Sequence, residues 1–251
     1  MKYQYAAVTR KGERKTKNED RIMIEGNYIS NGELQGESEG TLLVVVCDGV
    51  GGEAGGDEAA SIVSMSFLPL CGIPMSAFDV TSATNNANSA VKELQRCENY
   101  NSCMASTIAG IQISNNKYLA FNAGDSRIYT MSEDKLVQLS TDHTKAQKMV
   151  DDGRIEFASE APESMQNTIT QYIGGDEAAG KVSINRGELI ESEFRFFICS
   201  DGVSKNIEEG RLSTMLRQDI PAIEKCRTIC NIAIENGSAD DLSVVFVSGS
   251  A

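Results

Sequence analysis

Histidine is nearly missing from this sequence: His143 is the only one in 251 residues. A zinc site built on several imidazoles is thereby excluded. A Ser-His-Asp hydrolase would have to rest on His143, and the chain has no GxSxG elbow to supply its serine. Any chemistry therefore falls to carboxylates. No run of 18 apolar residues exists, so no membrane span is expected. The opening stretch MKYQYAAVTRKGERK holds no apolar core of signal-peptide length, and a cytoplasmic protein is the expectation. The seven cysteines include no CxxC pair; an odd number in a chain this large reads as reduced, mostly buried thiols, not a disulfide framework. Cations are short as well: 23 Lys and Arg against 36 Asp and Glu leave a net charge of −13, which argues against non-specific binding to nucleic acid. No Pro- or Ser-rich linker and no low-complexity segment divides the chain, so residues 1–251 are expected to form one domain.

What is present reads as α+β. LLVVVC (42–47) is too apolar and too β-branched for a half-exposed strand and is read as fully buried. Residues 55–70 read as a helix, with Asp57 and Glu58 suiting its positive N-terminal end and Ile62, Val63 and Phe67 on one face. A second helix, weak at its Asn-rich start, covers 79–97. STIAGIQI, KYLAFNA and RIYTMS, separated by the turn-like SNNK and GDS, predict an antiparallel meander. A short helix (KAQKMVDDG) sits in otherwise irregular chain from 143 to 180. Strands follow at 181–189 and 193–199, then a helix from Pro221 to Gly237 with both boundary signals in place, and a last strand, DLSVVFVS. Strands on either side of the helix pair must share one core, giving antiparallel sheets with helices packed outside.

Three strand ends carry an acid. Asp48 and Asp201 each follow a buried strand and precede a glycine; Asp240 immediately precedes the last strand. One such aspartate reads first as a turn former or helix cap. Repetition of the apolar run–Cys–Asp-Gly form argues for more, because a carboxylate at the mouth of a buried strand is costly unless solvated, hydrogen-bonded or paired with a cation. Crowded carboxylates repel and raise one another's pKa. All-oxygen ligands without histidine suit Mg²⁺ or Mn²⁺. A further acidic pair, Glu19-Asp20, directly follows RKGERKTK, in which Arg10, Lys11, Arg14, Lys15 and Lys17 face the single acid Glu13.

KNEDR, VVVCDGVGGEAGGDEAA, FNAGDSRIY, STDHT, FFICSDGV and NGSADDLSVV occur in that order. Together they resemble the metal-dependent type 2C Ser/Thr protein phosphatases, with a bacterial cast, from about residue 12 to residue 247. The resemblance implies a sandwich of two antiparallel β-sheets flanked by α-helices on both sides, with a binuclear Mg²⁺ or Mn²⁺ centre at one end. It implies that Asp48 bridges the ions and the Gly49 carbonyl binds one. Asp201 and Asp240 would hold the other, Glu19 and Asp20 would contact the second ion, and Asp125 would match a third, weaker metal position. Residues 144–175 would be a variable flap. The implied activity is hydrolysis of phosphoserine and phosphothreonine by a water activated between the ions, on proteins phosphorylated by a Ser/Thr kinase, by a monomer that engages neither nucleic acid nor membrane.

The chain departs from the family pattern at several points. Lys15, with Arg14 beside it, stands where an Arg usually grips the substrate phosphate. Val50 replaces a common His, Asp241 replaces the usual Asn, and APESMQN lacks the His and Arg of the usual flap. His143 matches a family position and is read as structural. These departures keep two other readings open: a catalytically weak pseudophosphatase acting as a protein-binding regulatory module, and a metal-dependent hydrolase of small phosphoesters.

Overall fold

The structure is a computed structural model that describes residues 1–50, 55–97, 104–132, 135–175, 181–189 and 193–250. In chain order its strands are β1 (Lys2–Arg10), β2 (Arg21–Ile24), β3 (Asn27–Ile29), β4 (Gly32–Glu39), β5 (Leu42–Cys47), β6 (Gly49–Val50), β7 (Ala105–Ser106), β8 (Ile108–Ser114), β9 (Lys117–Ala123), β10 (Arg127–Ser132), β11 (Lys135–Gln138), β12 (Ser183–Glu188), β13 (Glu193–Cys199) and β14 (Leu242–Ser250). The helices are α1 (Gly56–Met65), α2 (Ala77–Cys97), α3 (Lys145–Asp151), α4 (Glu163–Gln166), α5 (Asp201–Ser204), α6 (Glu209–Leu216) and α7 (Ala222–Glu235). Gly51 to Ala54, inside the second of the six motifs, and Cys103 lie outside the described residues, as do 176–180 of the irregular stretch.

Two six-stranded sheets carry the fold, in the orders β11-β10-β13-β14-β1-β4 and β12-β9-β8-β5-β2-β3, and every pairing within them is antiparallel. Period-two alternation assigns each side chain a layer. Val44 and Val46 of β5 meet Tyr5, Ala7, Phe196 and Val245 of the facing sheet. Leu43, Val45 and Cys47 point the other way, onto Ala59 and Val63 of α1 and Ala83, Ala87 and Val91 of α2. On the opposite outer face, Val8, Phe197, Val244 and Phe246 pack against Leu212 and Leu216 of α6 and Ile223, Cys226, Ile229 and Cys230 of α7. Central strands are therefore buried on both faces, which is why β5 reads as an unbroken apolar run and β13 as one from Phe196 to Cys199.

Four N-terminal strands are not legible in the sequence pattern. β1 is KYQYAAVTR: its inward residues include Tyr3, Tyr5 and Ala7, but the small Ala6-Ala7 pair hides the alternation. β4, GELQGESE, is an edge strand alternating half-buried and exposed. Its Gly36 is required by packing, because a Cβ there would lie 2.6 Å from the Tyr5 hydroxyl. The helix expected over 55–70 ends at Met65 and passes into a 3₁₀ turn at Leu68–Leu70. α7 starts after Pro221 and ends where Gly237 takes φ +97°, with Ser238 N–H donating back to the Ala233 carbonyl at 2.9 Å.

Candidate metal centre

β5 and β13 deliver Asp48 and Asp201 to the same end of the sandwich, and the turn before β14 delivers Asp240. Both Asp-Gly steps are explained by close approach, not by an unusual φ. A Cβ on Gly49 would lie 2.3 Å from the Gly56 carbonyl oxygen, and one on Gly202 would lie 2.1 Å from that of Asp241. Asp201 is the first residue of α5, so its glycine opens a helix. The Asp48 backbone is clamped by Thr107, whose hydroxyl accepts from Asp48 N–H at 3.1 Å while Thr107 N–H donates to the Asp48 carbonyl at 2.8 Å.

Here a cavity of about 220 Å³ is lined by Lys15, Glu19, Asp48, Gly49, Val50, Asp125, Asn167, Ile169, Asp201 and Asp240. Asp20 lies behind this lining, fully buried, accepting from the Ser200 hydroxyl at 2.8 Å. Asp125 arrives on the turn after β9 and is 4% exposed. Arg14 is exposed and does not line the cavity. Lys17 is turned away, paired with Asp57 of α1. Asn167 and Ile169 come from the 144–175 stretch. A larger cleft, about 720 Å³, lies at the other end of the same strands, where Lys2 and Arg195 are already paired with Glu39 and Glu193.

Two lysines reach into the acids. Lys15 Nζ is 3.1 Å from Glu19 Oε2 and 3.0 Å from Asp240 Oδ1. Lys205 Nζ is 2.8 Å from Asp125 Oδ2 and 2.7 Å from Asp201 Oδ2. Burial works against each ammonium, but the adjoining carboxylates outweigh it and hold both above the usual lysine range. Sequence reasoning missed Lys205, although its position four residues after Asp201 puts both side chains on one helical turn.

The carboxylates remain under-compensated. Burial first, then Asp20, Asp201 and Asp240, push the Asp48 carboxyl well above the normal range. Asp201 is shifted the opposite way: burial opposes its charge, but Lys205 and a hydrogen bond from Asp48 prevail. Burial, followed by Asp241 and Asp201, pushes Asp20 up to about 8. Glu19 Oε1, Asp20 Oδ1 and Asp201 Oδ1 are buried without any hydrogen-bond partner. Among the described residues no three His, Cys, Asp or Glu side chains converge as a ready ligand group; Glu19, Asp240, Asp125 and Asp201 are drawn onto the two ammonium groups instead.

His143 does not line the cavity. Its Nδ1 accepts from Gly124 N–H at 3.1 Å and its Nε2 lies 2.8 Å from the Ser183 hydroxyl, bracing the turn that presents Asp125. Burial pushes its imidazole below the usual value.

The fold and this acidic end place the chain in a known class. Residues 28–243 match the family model described as Protein phosphatase 2C, and the chain belongs to that family. It is 26% identical over 212 residues to the serine/threonine protein phosphatase PstP of Mycobacterium tuberculosis, covering 82% of this chain but only 40% of that relative's length. It is 24% identical over 249 residues to the protein phosphatase PhpP of Streptococcus pneumoniae, covering 96% and 95% of the two chains. The crystal structure of the M. tuberculosis PstP phosphatase superposes with a TM-score of 0.85 at 24% identity over 100% of both chains. The PstP catalytic domain in complex with two manganese ions superposes with a TM-score of 0.78 at 24% identity over 98% of each. At these identities the superpositions establish the fold, a two-sheet sandwich with helices on both outer faces.

Proposed function

We propose that this chain is a metal-dependent phosphatase of phosphoserine and phosphothreonine in proteins, working at a binuclear Mg²⁺ or Mn²⁺ centre. The observation that carries the reading is the set of buried, unpartnered carboxylate oxygens on Glu19, Asp20 and Asp201, beside an Asp48 whose carboxyl burial and the neighbouring acids push above the normal range. A buried acid left without a partner is expensive. Hard oxygen donors without imidazole or thiolate match Mg²⁺ and Mn²⁺. Glu19, Asp20, Asp48, the Gly49 carbonyl, Asp201 and Asp240 would hold the ions. When bound, such a pair supplies Lewis acidity, lowering the pKa of a water and neutralising phosphoryl charge.

The chain's own residues account for binding. An ammonium has three N–H donors, and Glu19 and Asp240 take two of those on Lys15. The third remains for a phosphate, for which Lys15, as part of the cavity lining, would be a point-charge anchor. Asn167 and Ile169 form one wall, which supports a flap at 144–175 in a single catalytic domain spanning 1–251. Phosphoprotein products of a Ser/Thr kinase are the proposed substrates, in keeping with the names of the relatives. The buried free thiols of Cys47, Cys199, Cys226 and Cys230 support a reducing compartment, the cytoplasm.

The test is hydrolysis of a phosphothreonine peptide and of p-nitrophenyl phosphate with EDTA, Mg²⁺ or Mn²⁺ in parallel. Turnover is expected only with metal and is expected to vanish in Asp48→Asn. Millimolar Mn²⁺ should raise the melting temperature of the unaltered chain and shift Asp48→Asn much less, since a ligand that binds only the folded state stabilises it. Turnover in EDTA would overturn the mechanism. Metal stabilisation without turnover would leave the binding-module reading standing.

A further inference from the structure

We infer that Lys205 is a built-in cation of the acidic cluster: its ammonium bridges Asp125 and Asp201 where a further divalent ion would otherwise sit, and so limits the centre to two ions. The inference rests on the metal-centre reading above and concerns what this chain adds to it.

Placement is dictated locally. α5 begins at Asp201, and Lys205 N–H donates to the Asp201 carbonyl at 3.0 Å, closing that turn. The two side chains therefore rise from the same face, one turn apart. Asp125 is brought to meet them from a distant part of the chain, on a turn that only glycine can make at position 124. That Gly124 has φ +110°, a Cβ there would lie 2.6 Å from a Thr107 methyl carbon, and its N–H is tied to His143. Asp125 is thus rigidly presented, and its Oδ2 meets Lys205 Nζ at 2.8 Å. A carboxylate that is 4% exposed and already joined to a fixed ammonium has little to gain from a dication. A dication in the same gap would face the ammonium's repulsion at contact distance.

Asp201 keeps its Oδ1 buried without a partner. It can therefore serve Lys205 through Oδ2 and an ion through Oδ1, while the lysine holds Oδ2 of Asp125. Lys205 acts here as a positioning residue that sets metal number, not as a group that touches substrate.

The experiment counts Mn²⁺ per folded chain by native mass spectrometry and equilibrium dialysis, with no substrate present. The full chain is expected to take two ions. Lys205→Met keeps the length of the side chain and removes its charge; it is expected to take a third, weaker ion, which the double variant Lys205→Met/Asp125→Asn loses again. Asp125→Asn alone is expected to keep two, which decides the matter even where Lys205→Met folds poorly. Three ions on the unaltered chain, two on a folded Lys205→Met, or loss of an ion in Asp125→Asn would each overturn the role of Lys205. A full chain that takes up no Mn²⁺ would instead overturn the metal-centre reading itself, and this inference with it.

Discussion

The Asp241 carboxylate accepts the backbone N–H of Glu19 through Oδ2 at 2.7 Å, and with Oδ1 it accepts that of Gly12 at 2.8 Å. A residue next to one proposed metal ligand thus fixes the backbone of another, and it docks the basic loop onto the turn before β14. The approach is tight: a Cβ on Gly12 would lie 2.4 Å from the Ala239 carbonyl oxygen. Asparagine, which the family pattern leads one to expect here, has a single acceptor oxygen and can satisfy only one of the two N–H groups. Asp241→Asn should therefore leave a buried donor facing an amide N–H, at a cost of about 1–3 kcal/mol. An opposing gain exists, because Asp241 repels Asp20. Asp20 has its pKa raised to about 8, so at about pH 6 it is protonated in the metal-free fold and that gain is absent. Urea denaturation in EDTA at that pH should show the full loss. As pH rises through 8, Asp20 ionises, the repulsion grows, and the gap between variant and parent should narrow. A pH-independent gap would show that the two carboxylates do not sense each other.

The glycines of the Asp-Gly steps make a second prediction with an internal control. Gly202→Ala places a Cβ 2.1 Å from the Asp241 carbonyl oxygen, a backbone atom that cannot swing aside. A loss of about 1–3 kcal/mol or more is expected, together with weaker Mn²⁺ binding, since the Asp240-Asp241 turn must move. A Cβ on Gly210, in α6, would meet nothing within 4 Å. Gly210→Ala should raise stability by roughly 0.5–1 kcal/mol through helix propensity and the entropy of the unfolded chain. Thermal melts of the two variants side by side decide it; opposite signs are expected.

These residues mark how far local sequence carries the structure. β5, and β13 from Phe196 onward, are legible because burial on both faces leaves an apolar run, and the following Asp-Gly is legible because it repeats. α7 is legible through Pro221 and Gly237. β1 and β4 are not, since Ala6-Ala7 hides the alternation of one and Gly36 of the other is small because Tyr5 of the neighbouring strand lies over it. At the site, the acids announce themselves by standing at strand ends, whereas Lys205 acquires meaning only through Asp125, 80 residues away. Asp241 stands out as a departure from the family pattern, but the two N–H groups it accepts belong to the opposite end of the chain.

Lys15 supplies the last prediction, because the structure separates it from its basic neighbours. Its ammonium lines the cavity between Glu19 and Asp240, Lys17 is paired with Asp57, and Arg14 is exposed outside the lining. If Lys15 anchors the phosphate, Lys15→Ala should raise KM for phosphopeptide and aryl phosphate alike, costing on the order of 1.5–3 kcal/mol in kcat/KM for a charge-assisted contact. Lys15→Arg should keep KM or lower it, since a guanidinium can make paired hydrogen bonds to phosphate. Lys17→Ala should be nearly silent in turnover, and so should Arg14→Ala. A purely structural role for Lys15 would also impair Lys15→Ala, so Mn²⁺ affinity is the discriminating readout. Removing the ammonium frees Glu19 and Asp240, and affinity for Mn²⁺ should hold or rise while KM worsens. Parallel loss of Mn²⁺ affinity and activity would make Lys15 a scaffold of the acids instead. A silent Lys15→Ala with a crippled Arg14→Ala would transfer the phosphate grip to Arg14.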